Sequence, residues 1–187
     1  MLSIESGFFN FMIYIKGSHH IRCCDKEYCY IYEKSRMEKL GLKREIADIC
    51  RNIKLESEAN LISAIRDAEQ SANEYGQPKD RYDSYRAQLS NKRDMLAQQL
   101  RKIQEEIGLI DRIDLKRECD TAGFGAVVIT PIQKVFISIG IGKITVNDGT
   151  EFYAISAAVP FAKAVRDLKK GDSFEFNGRK TEILDLF

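Results

Sequence analysis

From Glu38 to Asn73 the apolar residues recur at helical spacing. Ile46, Ile49 and Ile53 form one set, Leu61, Ile65, Ala68 and Ala72 a second, and Ser57 fills the gap between them. No Gly or Pro interrupts the chain between Leu42 and Gly76. A second run follows Pro78: Tyr82, Tyr85, Leu89, Leu96, Leu100, Ile103 and Ile107, ending near Gly108, although Ile110 keeps the spacing. Alternating steps of three and four residues predict two helices with an apolar seam of coiled-coil type. Lys92 stands where another apolar residue is expected, so the seam is imperfect. Between the runs, Gly76 suits the left-handed position that closes a helix. Pro78 cannot continue the first helix but suits the start of the second. So short a connection implies an antiparallel pair. Each helix would be roughly 45 Å long at 1.5 Å per residue. The chain has no further amphipathic helix of comparable length to cover such a hairpin, so most of it must project into solvent or a partner.

After Gly108 the period shifts toward two. Ala126–Ile129 and Val135–Ile139 are β-rich, and Lys143–Val146 leads through the turn signal Asn147-Asp148-Gly149-Thr150 into Glu151–Ile155. Phe161–Leu168 reads as a short helix with Pro160 in its first turn. Lys169-Lys170-Gly171-Asp172 is a turn, and Ser173–Phe176 and Lys180–Leu184 form a last hairpin around Asn177-Gly178. Gly123-Phe124-Gly125 and Gly140-Ile141-Gly142 read as bulges or turns. The expected fold class is α+β: an antiparallel helical hairpin over 37–110, then several antiparallel strands wrapping one short helix over 111–187.

Composition narrows the function. A net charge of +1 over 187 residues argues against non-specific nucleic-acid binding as the main role. The charged residues, 30% of the chain, alternate in sign through its middle, as on solvated helix faces. No apolar run is long enough to span a membrane. Five cysteines without a repeating framework fit a reducing compartment, so a cytoplasmic location is expected. No nucleophile triad, phosphate loop or dinucleotide fingerprint is present.

Residues 1–36 differ from the rest. Phe8-Phe9-Asn10-Phe11 and Cys23-Cys24 with Tyr28-Cys29-Tyr30 crowd this leader, and the charged helical pattern opens at Met37. The stretch from Phe8 to Ile15 lacks the cleavage site of a signal peptide. His19, His20, Cys23, Cys24 and Cys29 fit no standard zinc spacing. The composition change makes Met37 the expected start of the working protein.

Three signatures carry the chemistry: Phe124-Gly125-Ala126-Val127-Val128, Ile155-Ser156-Ala157-Ala158-Val159-Pro160-Phe161-Ala162-Lys163-Ala164, and Gly171-Asp172. Together they resemble the C-terminal domain of the Gre-type transcript-cleavage factors of bacterial RNA polymerase. That family's pattern is a Phe-Gly-Ala strand start, an Ile-Ser-x-x-Ser-Pro-x-x-x-Ala segment opening a short helix, and a Gly-Asp turn after it. Val159 departs from the pattern's second Ser. The resemblance implies an FKBP-like C-terminal domain that docks on RNA polymerase through Ser156, Ala158, Pro160 and Phe161. It implies that the hairpin enters the secondary channel, where tip carboxylates help hold a Mg²⁺ shared with the polymerase. The family's tip motif reads roughly Gly-Asp-Leu-Lys-Glu-Asn-x-Glu-Tyr. This chain has Gly76-Gln77-Pro78-Lys79-Asp80-Arg81-Tyr82-Asp83. Asp80 takes the place of the second acid, and Gln77 replaces the first. Asp83, one turn on, shares a helix face with Asp80.

On this reading the chain is a monomeric accessory without a cofactor of its own. Its partner is RNA polymerase, and it meets nascent RNA or DNA only through the elongation complex. Two other functions stay open: a non-cleaving occupant of the channel, and an FKBP-like chaperone or prolyl isomerase. Asp80 and Asp83 have a plainer role open to them as well, complementing a helix dipole. A chain starting at Met37 is expected to fold and to bind as the full chain does, checked by circular dichroism and by polymerase pull-down. Unfolding or lost binding would make residues 1–36 structural.

Overall fold

The structure, a computed structural model, describes residues 26–75 and 84–187. The chain divides into two compact units, Met1–Glu38 and Lys39–Phe187. In the first, the described residues are the opening of helix α1 (Lys26–Tyr75), with Tyr30, Ile31 and Tyr32 exposed. The helix thus begins upstream of Met37, because the stretch from Lys26 to Arg36 contains neither Gly nor Pro.

In the second unit α1 pairs with α2 (Ser84–Ile110). Arg51 meets Asp111 at 2.9 Å, Lys54 meets Glu106 at 2.8 Å, and the Gln104 side-chain amide donates to Glu58 at 2.8 Å. Numbers rise along α1 as they fall along α2, so the hairpin is antiparallel. Its seam follows the expected one at Ile46 and Ala68, which are buried, and at Ser57, Leu61, Ile65 and Ala72, which are half-buried; Ile53 departs from it at 37% exposure. Beside Ile53, Lys54 meets Glu106 and Glu58 accepts from the Gln104 amide across the pair.

The strands are β1 (Val127–Ile129), β2 (Lys134–Ser138), β3 (Gly142–Thr145), β4 (Glu151–Ser156), β5 (Ser173–Phe176), β6 (Arg179–Glu182) and β7 (Asp185–Leu186), with helix α3 (Pro160–Val165) between β4 and β5. Five strands form one sheet in the order β3-β4-β2-β1-β7, and β5 and β6 form a separate hairpin. Two features differ from the expectation. β2 and β4 pair in parallel, Val135 opposite Tyr153 and Ser138 opposite Ser156. β7 pairs with β1, placing Leu186 opposite Val128. The helix α3 ends at Val165, short of Leu168, because Asp167 adopts φ 62° and turns the chain. The last hairpin turns on Asn177 and Gly178, at φ 53° and 72°. Both positive angles are what a tight two-residue turn demands.

The sheet is buried on both faces at β1 and β2, while Glu151 and Tyr153 of β4 lie exposed. On one face, Val127, Phe136, Phe152, Ala154 and Ile144 pack against Ile46, Ala47 and Cys50 of α1 and against Ile110 and Ile113. On the other, Val128, Val135, Ile137 and Leu186 pack with Phe161, Ala162 and Val165 of α3 and with Phe174. Alternate residues of one strand therefore enter different cores. Two-sided burial also explains the continuous apolar runs at Ala126–Ile129 and Val135–Ile139. Asp185 ties β7 to α1 by meeting Lys39 at 2.7 Å, and it meets Lys170 at 2.8 Å. Burial alone would raise its carboxyl; hydrogen bonds from Lys170 and Lys39 and their charges outweigh this and hold it below its ordinary value.

Gly125 sits where the segment after α2 enters the sheet. Its φ is +85°, its N–H donates to the Ile137 carbonyl at 2.7 Å, and an added Cβ would lie 2.9 Å from Ile113 Cγ2. Gly125→Ala combines a left-handed backbone with a clash, and is expected to lower the unfolding free energy by about 1–3 kcal/mol. A urea titration with an unshifted midpoint would show that the junction relaxes freely.

Candidate docking loop and hairpin

The segment from Ile155 to Phe161 joins the end of β4 to the start of α3. Ser156 shapes it twice. Its hydroxyl oxygen accepts the Ala158 N–H at 3.3 Å, and its carbonyl accepts the Val159 N–H at 3.2 Å. Val159 then occupies the N-cap of α3 in extended conformation, with no side-chain cap, and Pro160 begins the helix. The first helical bond runs from the Lys163 N–H to the Val159 carbonyl at 3.1 Å. Ala158 and Pro160 are exposed, while Ser156, Ala157 and Val159 are half-buried.

Phe161 points the other way. It is 8% exposed, and its ring meets Phe174 at 5.5 Å and Phe176 at 5.2 Å between centroids, both edge-on. Such aromatic pairs contribute about 0.5–1.5 kcal/mol each beyond area burial. Of the four residues expected to dock, Ala158 and Pro160 face outward, Ser156 holds the turn, and Phe161 anchors the loop to the core. The three rings also line a cavity of about 420 Å³ with Thr130, Gln133 and Arg179, and Ile132, 67% exposed, stands at its edge. Sequence pattern gave no signal for Ile132 or Arg179, since their place depends on the β1–β2 turn meeting the last hairpin.

The other signatures have local explanations. Gly171 adopts φ +88° and donates its N–H to the Ile183 carbonyl at 2.8 Å. The Asp172 carboxylate accepts the Lys169 N–H at 2.7 Å, closing the turn after α3. Ala122 exchanges backbone bonds with the exit of α3: its N–H donates to Leu168 at 2.8 Å and its carbonyl accepts from Asp167 at 2.9 Å. The segment leading into the Phe-Gly-Ala strand start and the exit of α3 thus brace each other.

At the tip, Gln77, Asp80, Tyr82 and Asp83 lie outside the described residues, as do His19, His20, Cys23 and Cys24. Glu74, at the end of α1, accepts a hydrogen bond from the Gln70 amide at 2.8 Å. Among the described residues, no group of three or more His, Cys, Asp or Glu is placed to hold a metal ion, and no helix is long and apolar enough to cross a membrane.

The missing cap at Val159 is testable. Thr has nearly the shape of Val and supplies a hydroxyl to the free N–H groups of the first turn, so Val159→Thr is expected to stabilise the protein by about 0.5–1 kcal/mol. Chemical denaturation measures this. An unchanged or lower stability would mean that water already satisfies those groups.

Among solved structures, the chain is similar to the crystal structure of the GreA factor homolog 1 protein of Thermus thermophilus. The identity is 15%, the match covers 73% of this chain and 94% of that one, and the TM-score is 0.28. No protein-family pattern matches the chain. No curated protein matches it.

Proposed function

We propose that this chain is a Gre-like accessory factor of RNA polymerase. Its C-terminal domain docks through the loop around Ser156, Ala158 and Pro160, and its hairpin enters the secondary channel. The observation that carries the reading is the conjunction of an antiparallel hairpin with a sheet domain in which Gly125, Ser156, Pro160, Phe161, Gly171 and Asp172 each shape a turn, a helix start or a core contact. The loop from Ser156 to Phe161 offers an outward edge held rigid from behind, which suits a docking surface. The base of the hairpin shares a core with the sheet, so docking at the loop would fix the direction in which the hairpin projects.

The chemistry at the tip belongs to the polymerase. A Mg²⁺ held there would polarise the attacking water. This chain contributes oxygen donors of the kind that ion takes: the carboxylate of Asp80, that of Asp83 one turn on, and the neutral amide of Gln77. The chain is an accessory and not an enzyme on its own. Gln77 favours a second reading, a factor that occupies the channel without promoting cleavage. The aromatic cavity behind Phe161 favours a third, an isomerase or chaperone, which acceleration of a proline-limited refolding reaction would support.

Reconstitution with backtracked elongation complexes separates these readings. Ala158→Asp is expected to weaken polymerase binding about tenfold or more, equivalent to ~1.4 kcal/mol, with the fold unchanged by circular dichroism. Phe161→Ala is expected instead to destabilise the fold by about 3–5 kcal/mol. Asp80→Asn is expected to leave binding intact while shortened RNA declines, Asp83→Asn to have a smaller effect, and Gln77→Asp to raise cleavage. Wild-type protein that binds but yields no cleavage above polymerase alone would establish the channel-occupying regulator. Absence of binding would overturn both polymerase readings.

A further inference from the structure

The last strand hairpin turns one face inward. Its register sets Phe174 opposite Thr181 and Phe176 opposite Arg179. All four side chains line the cavity of about 420 Å³ that the β1–β2 turn closes with Thr130, Ile132 and Gln133. A volume of that size suits a small-molecule site, about 300–1,000 Å³ in general. Phe161, edge-on to both rings of the hairpin, forms the back wall. The charge of the wall has one sign. Among the described residues Arg179 is its only charged member, and Glu175 and Glu182 fall at the alternate positions of β5 and β6, on the other face of the hairpin. Among the described residues the Arg179 guanidinium takes part in no ion pair, hydrogen bond or ring contact. The Thr130 hydroxyl is already engaged, donating to the Gln133 carbonyl at 2.7 Å and accepting its N–H at 3.1 Å.

We propose that this cavity is a binding site for an apolar carboxylate, an aromatic or branched aliphatic group seated against the three rings with its acid paired to Arg179. A guanidinium presents two parallel N–H donors that match the two oxygens of a carboxylate. The apolar part of the ligand gains by leaving water for the ring edges and for Ile132, which is 67% exposed without it. The side-chain amides of Gln133 and Asn177 line the same cavity and are further donors to the acid. A neutral ligand of the same shape would cover the rings and leave the guanidinium without a partner. Two sources carry this chemistry, a free organic acid and the end of a peptide whose last residue is apolar. The assignment stands apart from the polymerase reading, because Ala158 and Pro160 are no part of the cavity wall. It also differs from the isomerase reading, in which a prolyl substrate has no charge to meet Arg179.

The test titrates N-acetyl-L-phenylalanine and its neutral amide into the full chain and follows the backbone N–H signals by nuclear magnetic resonance. The acid is expected to bind at about millimolar concentration, shifting Phe174, Phe176 and Thr181. The amide is expected to bind at least about tenfold more weakly. Arg179→Gln is expected to weaken the acid about tenfold and to erase its advantage over the amide, and Arg179→Lys to keep part of it. Arg179 is exposed, so both variants are expected to fold, and unshifted signals elsewhere in the chain report that they do. A short peptide ending in phenylalanine separates the sources. Tighter binding than N-acetyl-L-phenylalanine assigns the site to chain ends, and equal or weaker binding assigns it to free acids. Equal affinity for acid and amide overturns the proposal, as does undiminished affinity in folded Arg179→Gln, or no shift at about tenfold the expected concentration. Should a variant unfold, the difference between acid and amide in the unaltered chain decides.

Discussion

The rest of the molecule depends on one contact, the packing of the hairpin base against the sheet. Ile46, Ala47 and Cys50 of α1 meet Val127, Phe136, Phe152 and Ala154, with Ile110 and Ile113 closing the margin. Burying each large side chain there contributes about 1.5–3 kcal/mol. A two-helix hairpin has too little apolar surface to stand alone, since isolated helices in water are marginal. A sheet with apolar residues on both faces cannot leave one face bare. Each part supplies what the other lacks. The face opposite the hairpin is closed by α3 and the last strand hairpin, and the loop from Ser156 to Phe161 is carried on that second layer.

Much of this was legible in the sequence because it is local. The period of the helical runs, the alternation in Glu151–Ile155, and the turns at Asn147-Asp148-Gly149 and Asn177-Gly178 each rest on a few neighbouring residues. What escaped is non-local. Parallel pairing of β2 with β4 joins residues that only the fold brings together. β7 has two residues and no period of its own, and it forms because β1 presents a free edge. Ile53 alone leaves the expected seam, next to the stretch where Ile46, Ala47 and Cys50 of the same helix are packed against the sheet. Lys54 and Glu58 beside it reach Glu106 and Gln104, polar pairs that no apolar period announces.

The candidate site divides along the same line. Gly125, Pro160, Gly171 and Asp172 announce their roles because each residue type suits a particular backbone geometry. Phe161 announces only that it is apolar and aromatic; that it faces Phe174 and Phe176 and not a partner is a fact of tertiary packing. Lys43 was equally hidden. A lysine in a charged helical run reads as solvated, and its burial follows from the path of Arg117 and Cys119 across α1. The tip acids belong to residues 76–83, so their role rests on sequence alone.

The loop before α3 also shows why Val159 is tolerable at its N-cap. A Ser there would cap α3, yet the loop keeps its shape without it. Ser156 closes the turn through both its hydroxyl and its carbonyl. Pro160 fixes the first helical φ by its ring. Phe161 holds the helix down by its burial. Three independent restraints act within six residues, so removing one hydroxyl removes a fraction of the stability and none of the geometry. Ala158 faces outward and holds none of this shape, whereas Pro160 both faces outward and restrains the helix start.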